Sequence, residues 1–193
     1  MGYTRARGEK LGEHLGVSVV YASVANTRLL GTLMVFNNHG LLLPVTASED
    51  EYEHMKKATG LNVGFLDSKY TALGNLICAN DRGAIISPGF PQECVRVIGD
   101  VLDVEVIRGK VAGYHQAGSM AVANMHGGIV HPETDEDDIS RFSSVLGVSM
   151  EQATINGGVP FVSSGILLNN KAAVTGSFTS GPEIMMLTRA FGV

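Results

Sequence analysis

A ring of repeated ββαβ units, helices outside and strands within, is the fold class this sequence predicts. Three observations predict it: a recurring glycine and asparagine spacing, turn residues between paired apolar runs, and helix-start signals at a constant offset behind them. Gly31, Asn37 and Gly40 lie in "GTLMVFNNHGLLLP", Gly74, Asn80 and Gly83 in "TALGNLICANDRGAIISP", and Gly118, Asn124 and Gly127 in "GSMAVANMHGGIVHP". A weaker fourth copy, "SGILLNNKAAVTG", places Ser164, Asn170 and Ala173 at the same steps. The copies start at 31, 74, 118 and 164, so the period is near 44 residues. Units of this size cannot bury their apolar faces alone, and stacking about an axis gives a propeller-like α/β architecture.

Each copy opens with a mostly apolar run, such as "NLICA", that reads as a strand covered on both faces. Asn-Asn, Asn-Asp and Asn-Met then precede His-Gly or Arg-Gly, residues suited to the positive φ of a tight hairpin. The second strands, "LLLP", "AIISP" and "GIVHP", end at proline. Helices are expected over 48–59, 91–102, 134–146 and 182–191. Ser48 with Glu51 forms a capping box, Thr134 with Asp137 nearly does, and Pro91 and Pro182 suit a first helical turn. Alternating valines predict a further strand in "LDVEVIRG", 102–109, and in "LGVSVVYA", 15–22. The N-terminal "GEKLGEHLGVSVVYASV" adds a helix and strand without a hairpin, so there are five helices for four hairpins. One domain, 1–193, is expected, divided into a partial repeat 1–30 and repeats 31–73, 74–117, 118–163 and 164–193.

Bulk properties restrict the function. With 193 residues, 45% hydrophobic and 17% charged, the chain is able to bury roughly 70% of its unfolded surface as one domain. The formal charge is −5 and no block of Lys or Arg appears, which argues against DNA or another polyanion as a direct partner. A mildly acidic surface is instead drawn to basic proteins. Two cysteines make no disulfide framework and fit a reducing compartment. No stretch approaches the roughly 18 apolar residues of a membrane span, and "MGYTRARGEK" has no apolar secretion signal.

Taken in order, "LGVSVVYASVANTRLLG", "TALGNLICANDRGAIISP", "LDVEVIRGKVAGYHQAGSMAVANMHGGIVHP" and "TSGPEIMMLTRAF" resemble the translation initiation factor 6 family over the whole chain. The resemblance implies a pentein-type propeller about a pseudo-fivefold axis. It also implies a cytoplasmic, non-enzymatic factor that needs no cofactor or metal, binds the large ribosomal subunit and blocks its joining to the small subunit, in translation initiation and large-subunit biogenesis. In that family the docking face meets basic ribosomal proteins near the subunit interface and approaches the sarcin-ricin loop of the rRNA. Carried over by position, the ribosome-binding residues are Asn75, with Thr32, Ser119 and Met120 at neighbouring repeat places. To these are added Asn38 and His39 in the first hairpin turn, and Ser180 and Glu183 of "SFTSGPE". Two departures stand out. The family's opening strands, roughly thirty residues by the repeat arithmetic, are not in this sequence, so the first repeat is expected to be incomplete, with an open sheet edge inviting self-association or a gene start assigned too late. The end at Val193 lacks the polar tail of eukaryotic members, which favours the archaeal type.

Rival readings attach to several residues. The same ring fold supports deiminases and amidinotransferases that modify guanidines with a cysteine, a histidine and paired acids. Cys78, however, occupies the repeat place of Val35 and Val122 and reads as a small buried hydrophobe, and neither it nor Cys94 lies near the C-terminus, where those enzymes carry theirs. His39, His126 and His131 lack metal-ligand spacing and read as turn and strand-end residues. The run "ETDEDD", 133–138, reads as a solvated helix start or as an acidic patch for a basic partner. Asn75 alone reads first as a residue satisfying nearby backbone, and the family resemblance is what reverses this and moves it to the docking face.

Overall fold

The computed structural model describes residues 5–193 and is a mixed α/β protein with four small, separate sheets. It opens with helix α1, Arg5–Leu15. The first full unit holds α2 (Leu30–Leu33), β1 (Val35–Phe36), β2 (Gly40–Pro44), α3 (Glu49–Thr59) and β3 (Asn62–Leu66). The second holds α4 (Leu73–Leu76), β4 (Ile77–Ala79), β5 (Gly83–Ile86), α5 (Gln92–Leu102) and β6 (Glu105–Arg108). The third holds α6 (Ala117–Met120), β7 (Ala121–Ala123), β8 (Gly128–Val130), α7 (Glu136–Leu146) and β9 (Met150–Gln152). The last holds a 3-10 turn (Val162–Gly165), β10 (Ile166–Leu168), β11 (Ala173–Thr175) and α8 (Gly181–Phe191). In the three complete units the hairpin is antiparallel and the strand after the long helix runs parallel to its second strand, with registers such as Leu42↔Gly64 and Ile85↔Ile107. The β10–β11 pair forms a sheet of two.

Four local expectations are corrected. None of the hairpin-turn residues has a positive φ. The turn is instead closed by the asparagine side chain: Asn37 Oδ1 accepts the N–H groups of His39 and Gly40, and Asn80 and Asn124 repeat the pattern. In the fourth unit Asn169 does this for Lys171 and Ala172, so the turn register runs one residue ahead of the Asn170 and Ala173 read from the pattern. The apolar run expected to be strand throughout begins as one helical turn. At α7 the cap is Asp135, accepting from the Asp138 N–H at 2.8 Å, while the Thr134 hydroxyl donates to the His131 carbonyl. The capping box of Ser48 and Glu51 forms as expected.

The strand expected over 15–22 is absent. Its equivalents β3, β6 and β9 each pair with the second strand of their own hairpin, and this segment has no hairpin of its own among the described residues. A strand without a neighbour leaves its backbone to water, and Val17, Val19, Val20 and Tyr21 stay exposed.

Each hairpin turn is tied to the next unit by the same asparagine. Asn37 Nδ2 donates to the carbonyls of Asn80 (3.1 Å) and Leu102 (2.8 Å), the latter the last residue of α5. Asn80 does so to Asn124 and Leu146, and Asn124 to Asn169 and Phe191. Asn169 reaches the Leu15 carbonyl at the end of α1. Two residues on, His39 lies 3.8 Å from Asp103, Arg82 donates to the Gly147 carbonyl and Lys171 to that of Gly16, so Arg82 and Lys171 set cationic side chains at helix C-termini, where the dipole favours them. The circuit returns to the first unit because the Tyr21 carbonyl meets His54 and the Ser23 hydroxyl donates to Glu51. The apolar core lies between units: Cys78 and Ile85 pack with Phe142 and Leu146, and Leu42 packs with Ile98 and Leu102.

This order gives the molecule two ends. The hairpin turns and the C-termini of the long helices share one, here the turn end. The one-turn helices, the loops Val24–Thr27, Val111–Tyr114 and Ile155–Val159, and the helix N-termini share the other, the loop end.

Candidate functional site

Thr32, Asn75 and Ser119 are each the third residue of a one-turn helix, α2, α4 and α6, and the structure brings these turns side by side. Glycine permits the approach: a methyl at Gly74 would run into the Gly31 carbonyl, and one at Gly118 into the Gly74 carbonyl. All three side chains are half-buried, and none makes a hydrogen bond among the described residues. They contrast with Asn37, Asn80 and Asn124, which are buried and fully engaged. Ser180, the exposed cap of α8, shares the loop end.

The remaining residues of the expected set lie elsewhere. Asn38 and His39 belong to the turn end, where Asn38 donates through its N–H (2.9 Å) and Nδ2 (2.7 Å) to Asp81 of the next unit. They are part of the seam between units. Met120 is 1% exposed and packs in the core, because the helical turn points it inward, away from Ser119. Glu183 is 6% exposed and its carboxylate is consumed internally. Met120 and Glu183 therefore offer no surface to a partner.

Glu183 has a counterpart in Glu51, and both hold the loop end together. Glu51 accepts from the Ser23 hydroxyl and the N–H groups of Ala25, Asn26 and Ser48. Glu183 accepts from the Thr154 and Ser180 hydroxyls and from the N–H groups of Gly157, Gly158 and Ser180. Burial by itself raises the pKa of each carboxyl. The hydrogen bonds, led by the Ser48 N–H for Glu51 and the Ser180 N–H for Glu183, outweigh burial and hold each at about 2, below the ordinary 4.5. Each carboxylate fastens a loop to a helix start. Around them the loop end carries mixed charge, with Glu49, Asp50, Glu136 and Asp137 at helix starts and exposed Arg28, Lys69 and Lys110 in the loops.

The cysteines are not placed for nucleophilic chemistry. Cys78 is buried, and burial pushes its thiol up to about 12. Burial also raises Cys94, with the Asp67 and Glu93 charges adding to it against a hydrogen bond with Ser68. Its Sγ donates to the Asp67 carbonyl at 3.3 Å. A thiolate is the reactive form, and both sites oppose it. Cys78→Val is expected to leave the fold intact and cost less than about 1.5 kcal/mol in urea denaturation, as a near volume-conserving exchange does. Among the described residues no cluster of three or more His, Cys, Asp or Glu side chains is placed to hold a metal ion, and no helix is long and apolar enough to cross a membrane. His131 is buried with Nδ1 accepting the Glu133 N–H, Asp135 caps α7, and Glu136, Asp137 and Asp138 lie in its first turn.

The loop end thus carries half-buried polar side chains that make no hydrogen bond among the described residues, and neither cysteine is set up as a nucleophile. The eIF-6 family model matches residues 1–190. This chain belongs to the eIF-6 family. It is 61% identical over 190 residues to a translation initiation factor 6 of Cenarchaeum symbiosum, covering 98% of this chain and 86% of that protein. It is 54% identical over 191 residues to the factor of the same name from Nitrosopumilus maritimus, and 39% over 196 residues to that of Pyrococcus horikoshii. Each alignment covers 99% of this chain and 86% of the relative. Within this family member the asparagine seam went unread in the sequence as a tie between units, although a signal was there: residues 39, 82, 126 and 171, each two after the turn asparagine, are His, Arg, His and Lys.

Proposed function

We propose that this protein is a ribosome anti-association factor, acting without chemistry in the cytoplasm: it docks on the large ribosomal subunit and obstructs the surface needed by the small subunit. The observation that carries the reading is the family match over nearly the whole chain, with relatives named translation initiation factor 6. Docking uses the loop end, where Thr32, Asn75 and Ser119 stand side by side and Ser180 caps α8. Three of these are polar side chains that the fold does not consume. The partner surface combines basic ribosomal protein with nearby rRNA, to which the acidic helix starts and the basic loops respectively correspond. In this reading the units form one pentein-type repeat domain, 1–193, about a pseudo-fivefold axis, and the segment before Leu30 is the partial repeat. The repeated asparagine ties and the contact of Tyr21, in the segment after α1, with His54 of α3 support that arrangement.

Sedimentation tests the proposal. Incubated with purified archaeal large subunits, the protein is expected to co-migrate with them through a gradient and to reduce joining when small subunits are added. Failure to co-migrate contradicts it. Asn75→Arg and Ser119→Arg are expected to weaken co-migration at least tenfold while costing no more than about 1 kcal/mol of stability, both side chains being half-buried. Equal loss of binding and stability would make these residues structural.

A further inference from the structure

We infer that the aromatic cluster of Tyr114, His131 and Phe161 on the loop end is a seat for an arginine side chain of a basic protein. This rests on reading the loop end as the docking face and names the chemistry that one part of it recognises. Tyr114 and Phe161 are 44% and 43% exposed, with ring centroids 6.5 Å apart and planes inclined at 65°. His131 is the buried member, 5.7 Å from the Tyr114 ring and 6.5 Å from that of Phe161, and its Nδ1 is fixed by the Glu133 N–H. Of the aromatic pairs among the described residues, Tyr114 with Phe161 is the one in which both rings are exposed. Backbone contacts hold the cluster in place. Val111 and Tyr114 exchange both N–H to carbonyl bonds, at 3.0 and 2.9 Å, and Phe161 precedes the 3-10 turn that packs against α6, which carries Ser119.

The chemistry of the occupant follows from a comparison within the chain. Three other rings carry a cation supplied by the fold itself: Lys56 Nζ lies 5.6 Å from the Tyr52 ring, Lys69 Nζ 5.1 Å from that of Tyr70, and the Arg141 guanidinium 5.4 Å from that of Phe142. Among the described residues no lysine or arginine is so placed over Tyr114 or Phe161. The surrounding charge is acidic. His131 leads directly into the start of α7, where Glu133, Asp135, Glu136 and Asp137 are exposed and outside any ion pair among the described residues, and Lys110 stands against them. This excess of carboxylate favours a cation and opposes the phosphate of a stacked nucleotide. Arginine fits better than lysine, because its planar, weakly hydrated guanidinium lies flat on an aromatic face while its N–H groups reach a carboxylate.

Acetyl-Gly-Arg-Gly-amide and its lysine counterpart, titrated into the full chain while the ring signals of Tyr114 and Phe161 are followed by NMR, test this. The arginine peptide is expected to shift both rings saturably, and the lysine peptide to bind about threefold more weakly or worse. Rings indifferent to the arginine peptide, equally responsive to lysine, or moved instead by adenosine monophosphate would overturn the inference, whatever ribosomal subunits do. In the sedimentation assay the double variant Tyr114→Ala, Phe161→Ala is expected to weaken co-migration by about fivefold or more at an unchanged melting temperature, and Tyr114→Trp to retain it. Co-migration untouched by the double substitution would also overturn the inference. Peptide binding by a protein that does not co-migrate with large subunits would uphold the arginine seat and contradict the anti-association reading alone.

Discussion

Asn80→Ala is expected to destabilise the protein by about 3 to 5 kcal/mol. Asn80 is buried and makes four hydrogen bonds, accepting from Arg82 and Gly83 and donating to Asn124 and Leu146. Alanine leaves two N–H groups and two carbonyls without that partner in a place water barely reaches, at about 1 to 3 kcal/mol for each group left unsatisfied, partly recovered by relaxation. For a chain of this size the melting temperature should fall by roughly 10 °C. Asn80→Asp is no rescue, since it keeps the acceptor, loses the donor and sets a charge against two carbonyls. Asn75→Ala is the control and should cost under about 0.5 kcal/mol. Equal losses at 75 and 80 in urea denaturation would show that the tie between units contributes nothing.

The second large effect concerns acid. Glu51 and Glu183 have folded pKa values lowered to about 2 from 4.5. A lowered carboxyl contributes stability that is fully present above the unfolded value and is lost as pH falls toward the folded one. Stability should therefore decline from about pH 4.5 down to about pH 2. Replacing both by Gln removes this slope and lowers stability at pH 7 by about 2 to 4 kcal/mol for each site, the scale of charge-assisted hydrogen bonds to buried groups. A double variant with an unchanged acid transition would contradict the assignment. The loops at 24–27 and 155–159 should also exchange amide protons faster in the variant, because these carboxylates fasten them.

Sequence and structure agree where local chemistry is repeated. The long helices and the Ser48–Glu51 capping box were legible from spacing within one unit, and the small-hydrophobe reading of Cys78 from its match to Val35 and Val122 in the other copies. What was hidden depends on a neighbouring unit. The one-turn helices lie side by side because Gly74 and Gly118 let adjacent backbones touch, and a single-strand pattern does not display that. The 15–22 segment has the alternation of a strand, yet alternation alone supplies no partner. The candidate site divided for the same reason. Thr32, Asn75 and Ser119 gather on one end, Asn38 and His39 are taken up by the seam at the other, and Met120 turns into the core although it adjoins Ser119. Proximity in a motif did not distinguish inward from outward around a helical turn.

Site-specific photo-crosslinking in the presence of large ribosomal subunits tests the central claim most directly. With a photoreactive residue placed in turn at 32, 75 and 119 on the loop end and at 38 and 126 on the turn end, crosslinks to subunit components are expected from the first three positions only. Crosslinks from 38 and 126 with none from 32, 75 and 119 would contradict the account.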